Sequence, residues 1–297
     1  MNKATLLGIG ALFFWAVNAS LLVMAGAIPP FELSFLIFVV GFFCLLLAEK
    51  LRGEKLGPLF SQPLRIYLFG ATGIGLYTIL LCLSFKLAPP FVANALNYTW
   101  PILLALFAAL EQKRKMAPEE IAGLLMGFIG ALVLFAGRGG APLPNAQADI
   151  LAGGLVALAA GLVWASYSAL ARRVQYPAGT VAVFCLLSAL PALALHVAFE
   201  TTVIPAGLLS WFFIALLGAV LSSYSLWDYA MKHGDRNLLA SLSYLVPLAS
   251  TLLLAAFGFI GKEPGIAAGG ALIVAGCLVV NGRKILKLPS AKKHLPP

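Results

Sequence analysis

Ten long apolar stretches, separated by short polar clusters, run along the chain. They cover about residues 4–24, 31–50, 64–87, 91–111, 118–137, 150–172, 178–199, 209–231, 236–258 and 264–284. Each is close to the roughly 20 residues that carry an α-helix across the hydrocarbon core of a bilayer. The separating clusters are Pro29-Pro30, "RGEKLGP", Pro89-Pro90, "QKRKMAP", "GRGGAPLPNAQAD", "RRVQYP", "ETTVIPAG", "KHGDR" and "GKEP". Proline, glycine and charge in such clusters end helices. The pattern predicts an all-α membrane protein with ten transmembrane helices.

The apolar pattern is also duplicated. At an offset of 146, Lys86 falls on Lys232, Tyr98 on Tyr244, Pro101 on Pro247, Pro118 on Pro264, Gly123 on Gly269 and Gly130 on Gly276. Near the start of each half, "FFWAVNASLL" matches "GLVWASYSAL" at a slightly larger offset, which places Trp15 on Trp164. Each half holds five predicted helices. Five is odd, so the second copy enters the membrane upside down. The expected domains are residues 1–138 and 149–287, with a basic cytoplasmic tail at 288–297. Inverted repeats are a common transporter plan, with the substrate near the midplane between them.

Composition agrees. The chain of 297 residues is 61% hydrophobic and 10% charged, against about 25% charged in soluble domains. The first apolar run has no small-residue cleavage site, so a removable signal peptide is not expected. The four cysteines sit inside apolar runs without a CxxC pair, so neither a disulfide nor a metal site is expected. The formal charge of +9 is mostly topology. With the N-terminus inside, 17 of the 20 lysines and arginines fall on one side, leaving only Lys86, Arg138 and Lys262 on the other. The positive-inside rule makes the rich side cytoplasmic. Both termini are then cytoplasmic, and no nucleic-acid partner is expected.

Residues 94–106 read "NALNYTWPILLAL" and place Pro101 near the middle of helix 4. Pro247 occupies the same place in helix 9. A proline leaves the carbonyl four residues earlier without a donor, here those of Asn97 and Ser243. In hydrocarbon such a group must be buried in protein or face a wet cavity. Asn94, Asn97, Tyr98 and Pro101 share one helix face by their i, i+3, i+4, i+7 spacing. The corresponding set in helix 9 is Ala240, Ser243, Tyr244 and Pro247. Two readings remain: interhelical hydrogen bonding around a packed kink, or a polar cavity wall. Repeat symmetry and midplane depth favour the cavity, with the prolines as hinges.

Trp15 with Asn18, and Trp164 with Tyr167 and Ser168, lie at similar depth in helices 1 and 6. So do Tyr77 in helix 3 and Ser223 and Tyr224 in helix 8. Such aromatics either fill the core or wall a cavity for a planar apolar side chain with a polar head. Trp100 lies about 120° from the Asn94–Pro101 face on an ideal helix, unless the proline rotates it. Small residues at Gly153, Ala157 and Gly161, at Gly123, Gly127 and Ala131, and at Ala267, Ala271 and Ala275 predict close helix packing within a monomer. Asp228 and Lys232 are spaced for an ion pair. Glu32 and Glu111 sit at helix ends, and His196 reads as a packing or interfacial residue.

The five-plus-five plan resembles the drug/metabolite transporter superfamily, in the branch with two EamA-type domains. "LNYTWPILLAL", "LSYLVPLAS" and Trp164 are similar to stretches of the bacterial aromatic amino acid exporters. The resemblance implies a central cavity surrounded by helices 1, 3, 4, 6, 8 and 9. It implies export of aromatic and other neutral amino acids across a cell inner membrane. One departure is that many relatives carry an arginine in helix 2, whereas Leu33–Ala48 has no charge. The expected substrate-binding set is Trp15, Asn18, Tyr77, Asn94, Asn97, Tyr98, Trp100, Trp164, Ser223, Tyr224, Ser243 and Tyr244, with hinges at Pro101 and Pro247.

No GxSxG, HExxH or Walker A motif is present, so an enzyme is not expected. No cofactor or metal is expected, and a monomer in the bilayer suffices. No carboxylate lies near the midplane, so transport down the substrate's own gradient is expected. Alternatives are a multidrug or cationic-metabolite exporter of the same superfamily, and a passive channel or membrane scaffold.

Overall fold

The computed structural model describes residues 2–25, 28–88, 90–136, 147–205, 207–259 and 264–285. The basic tail at 288–297 and the segment containing Arg138 lie outside the described residues.

All ten predicted helices are present. The continuous ones are α1 (Lys3–Ala25), α2 (Pro30–Leu51), α5 (Pro118–Ala136), α6 (Gln147–Leu170), α7 (Thr180–Phe199) and α10 (Pro264–Ile285). The other four are interrupted. α3 (Leu64–Leu87) contains a π-helical segment at Ala71–Leu76. α4 consists of Pro90–Asn97 and Trp100–Glu111, α8 of Gly207–Leu221 and Ser223–His233, and α9 of Arg236–Leu242 and Leu245–Ala256. One unpredicted helical turn, Gly57–Phe60, lies between α2 and α3. Among the described residues, eight helices are long and apolar enough to cross a membrane, and α10 contributes a shorter apolar helix, Gly265–Asn281.

Helix pairing shows the duplication in three dimensions. α1 packs on α8 and α9, and its counterpart α6 packs on α3 and α4. α2 packs on α8, and its counterpart α7 on α3. The equivalent pairs α2–α7, α4–α9 and α5–α10 meet each other directly. The first helix of each half therefore seats on the third and fourth of the other, so neither half has a separate core.

The α5–α10 crossing shows the inversion. A Cβ on Gly123 would stand 2.6 Å from the Gly276 carbonyl, and one on Gly130 2.7 Å from that of Gly269. Residue 123 opposes 276 and 130 opposes 269, so these equivalent helices run antiparallel. Only glycine lets the backbones come this close. The alanine stripe expected to pack in α10 does not do so, because Ala267 and Ala271 are exposed. The packed face carries Gly269, Ile273 and Gly276 instead. In α6 the expected stripe is buried: Gly153 rests on Ala88 and Gly161 on the Asn97 carbonyl.

A polar knot ties α2, α3 and α7 at the end of the bundle away from the N-terminus. The Glu200 carboxylate accepts from the backbone N–H groups of Phe31 (3.1 Å) and Glu32 (3.0 Å) at the start of α2. It also pairs with Lys86 (2.6 Å) and His196 (3.1 Å). An anion there satisfies orphan helix donors and complements the dipole. Burial alone would push the Glu200 carboxyl up, but the Lys86, Phe31, His196 and Glu32 hydrogen bonds together hold it below the usual carboxylate range. Glu32 in turn accepts from the Val203 N–H at 2.9 Å.

Candidate substrate cavity

The four helix interruptions converge on one place. Proline explains two of them. Pro101 and Pro247 cannot donate, and the turns just before them tighten to i→i+3 bonds, Thr99 N–H to the Leu96 carbonyl and Val246 N–H to the Ser243 carbonyl. The others have no proline. The π segment of α3 ends at Leu76, and α8 breaks at Ser222, its counterpart at the 146 offset. Immediately beyond these points come Tyr77 and Thr78, and Ser223 and Tyr224. Glycines let α3 approach its neighbours there: a Cβ on Gly73 would lie 2.1 Å from the Tyr167 ring, and one on Gly70 2.1 Å from that of Phe184.

Between the interruptions lies a cavity of about 440 Å³, within the range of small-molecule sites. Eight of the twelve residues singled out in the sequence line it: Trp15, Asn18, Tyr77, Asn97, Tyr98, Trp100, Trp164 and Tyr224. Among the described residues, none that lines it is charged. Three tryptophans meet edge to face, with centroids 5.5 Å apart for Trp15–Trp164 and 6.5 Å for both Trp15–Trp100 and Trp100–Trp164. Tyr77 lies 5.0 Å and Tyr224 5.3 Å from Trp164. Trp100 reaches the wall despite its angular offset, because the α4 chain tightens beside it. The Asn97 side-chain oxygen is buried without a hydrogen-bond partner.

The other four stand back from the wall. Ser223 accepts from Trp15 Nε1 at 3.0 Å and so orients that indole. The Ser243 hydroxyl turns back to the Leu239 carbonyl in its own helix at 2.7 Å. Tyr244 is buried against Gly127, and its hydroxyl donates to the Tyr98 carbonyl at 3.3 Å. This joins two equivalent residues where α4 meets α9. Asn94 is half-buried off the wall, and its carbonyl accepts from the Tyr98 N–H. The freed Asn97 carbonyl points at Gly161 of α6 rather than into the cavity. Sequence reasoning missed α2, which contributes Pro30, Leu33, Ser34, Ile37 and Phe38. Its apolar run carries no polar signal, so only packing reveals the role.

The cavity lining extends toward the end where α1 stops and α2 begins, through Ile28, Pro30, Phe85 and the exposed Leu22. Among the described residues, none of the lining lies at the opposite, lysine- and arginine-rich end. Trp227 is fully buried under the cavity floor, 4.9 Å from Trp15, and its Nε1 donates to Ser168 at 2.9 Å. Below it, Asp228 pairs with Lys232 at 2.9 Å and accepts from Tyr176 at 2.5 Å and Tyr167 at 3.3 Å. Burial, then the Asp228 charge, pushes the Tyr176 hydroxyl well above its usual range. Arg236 pairs with Glu111 and donates to the Ala169 carbonyl at 3.2 Å, joining α9 to α4 and α6. Arg173 lies 3.6 Å from the same Glu111.

An interlocked inverted repeat with broken helices around a central cavity is a plan found in many transporters. The EamA-like transporter family matches the chain twice, over residues 2–136 and 151–282, once in each half. The chain belongs to the EamA-like transporter family. This EamA-like chain is a multi-pass membrane protein of a transporter family, not of an enzyme family. It is 36% identical to the aromatic amino acid exporter YddG of Ancylobacter novellus, over 94% of this chain and 97% of that one. It is 29% identical to the exporter of the same name from Salmonella typhimurium, over 86% and 88%. A probable terminal-alkyne amino-acid exporter of Streptantibioticus cattleyicolor is 30% identical over 74% and 73%. A solved crystal structure with 36% identity superposes with a TM-score of 0.85, covering 94% of this chain and 97% of its own.

Proposed function

We propose that this protein exports aromatic and other neutral amino acids across the inner membrane by alternating access. We further propose that the conformer described here faces outward. The observation that carries this reading is the cavity: aromatic walls, no charged side chain, and one buried unpaired amide oxygen. Tryptophan and tyrosine faces suit a planar side chain. Asn97 Oδ1 suits a substrate ammonium, because a buried acceptor gains most from a charged donor. A dedicated site for a cation would be expected to hold a carboxylate, and this wall has none. The lysine- and arginine-rich end is assigned to the cytoplasm by the positive-inside rule, so the open end faces the periplasm. The uncharged wall supports transport driven by the substrate's own gradient.

Proteoliposomes test this. Saturable counterflow of labelled phenylalanine, competed by neutral amino acids and independent of an imposed proton gradient, is the expected result. Competition by lipophilic cations alone would move the protein to a multidrug role. Flux without saturation would make it a channel.

A further inference from the structure

We propose that Asp228 is the closing residue of a gate at the lysine-rich end, latched by Tyr176, Tyr167 and Lys232. This rests on the reading of the protein as an alternating-access carrier.

The latch joins α8 to α6 and to the connection leading into α7. Tyr167 belongs to α6, Tyr176 to the connection between α6 and α7, and Asp228 and Lys232 to α8. Asp228 is 1% exposed. A charge so buried must be paired and hydrogen-bonded, and removing one partner leaves it uncompensated. Its partners therefore hold the α6–α7 connection against α8, directly beneath the Trp227 floor. The Lys232 ammonium also lies 3.3 Å over the Tyr176 ring, a cation–π contact that closes the same corner.

The first repeat builds the matching corner from other side chains. At the 146 offset, Asp228 corresponds to Cys82 and Lys232 to Lys86. At the offset that puts Trp15 on Trp164, Tyr167 corresponds to Asn18. The Lys86 ammonium lies 4.4 Å over Phe31 at the start of α2, as Lys232 does over Tyr176 just before α7. Cys82 and Asn18 line the cavity, and Cys82 hydrogen-bonds to Ser34 (3.4 Å) and the Pro30 carbonyl (3.9 Å) of α2. The matching corner of the first repeat is held differently, by the ion pair of Lys86 with Glu200 at 2.6 Å. A thiol and an amide cannot reproduce a buried carboxylate bound by three partners.

Cys82 lines the cavity and so reports access to it. In proteoliposomes, a membrane-impermeant thiol reagent added at the open end, followed by peptide mapping, gives the Cys82 modification rate. Tyr176→Phe removes the 2.5 Å bond and little else. It is expected to move the ratio of conformers about tenfold toward the opposite one, the scale of one hydrogen bond to a charged group, and so to slow Cys82 modification, by about twofold from a starting ratio of about ten to one. Asp228→Asn should act in the same direction. If Asp228→Asn does not fold, Tyr176→Phe carries the test. Unchanged or faster Cys82 modification in a well-folded Tyr176→Phe protein would overturn the gate. Loss of saturable phenylalanine counterflow in the wild type would instead count against the carrier reading.

Discussion

Asn97 shows how a single side chain takes its meaning from its surroundings. Its backbone carbonyl is freed by Pro101 yet turned to Gly161, while its amide oxygen is buried at the cavity without a partner. A hydrogen bond to a charged group contributes about 1.5–3 kcal/mol. Asn97→Ala should therefore weaken phenylalanine binding about tenfold or more while leaving folded yield near wild type. Competition binding on purified protein measures the first and size-exclusion recovery the second. Gly73 behaves differently. An added Cβ would lie 2.1 Å from Tyr167 and 2.8 Å from that residue's own Cβ, so the base of the tyrosine must move. Gly73→Ala should cost about 1–3 kcal/mol of stability by overpacking, seen as a lower unfolding temperature.

At the scale of elements, function sits where helices are interrupted. α3, α4, α8 and α9 each break or change hydrogen-bond register beside the cavity, and each break leaves side chains at the wall. Restoring a regular helix at one break should affect movement more than folding. Pro101→Ala is expected to slow phenylalanine counterflow severalfold while reducing folded yield much less. An equal loss of both would make the proline a packing residue. The opposite balance is expected at the α5–α10 crossing. A Cβ on Gly276 would meet the Gly123 carbonyl at 2.5 Å, and backbone cannot step aside as a side chain can. Gly276→Val should lower thermal stability and yield, with substrate affinity of the surviving protein unchanged.

For the molecule as a whole, the two ends of the bundle are held by different chemistry. One end is tied through Glu200, Lys86, His196 and the first turn of α2, the other through Asp228, Tyr176 and Arg236. Glu200 has its folded pKa below its ordinary value. The stability it contributes is present above the unfolded carboxylate range and is lost as pH falls through the lowered folded value. Unfolding temperature should therefore drop in the acid range for the wild type, and less steeply for Glu200→Gln. A flat acid profile in the wild type would remove Glu200 from this role.

Much of this was legible in the chain. Helix number, the duplication and its inversion follow from local patterns: about 20 apolar residues can span a bilayer only as a helix, and an odd repeat must invert. The aromatic and amide residues of the cavity stood out because polar groups at mid-depth need a reason. Other features depended on packing. Nothing in the run Leu33–Phe38 distinguishes a cavity wall from a lipid-facing surface. Nothing local says that Ser243 and Tyr244 turn away from the cavity while their counterparts Asn97 and Tyr98 face it, or that α8 breaks at Ser222 without a proline. The sequence of each half determined what its helices are, because bilayer crossing is a local demand on backbone hydrogen bonds. Which helices frame the cavity, and which of two equivalent residues meets it, only the tertiary structure decided, because those outcomes depend on how one half seats against the other.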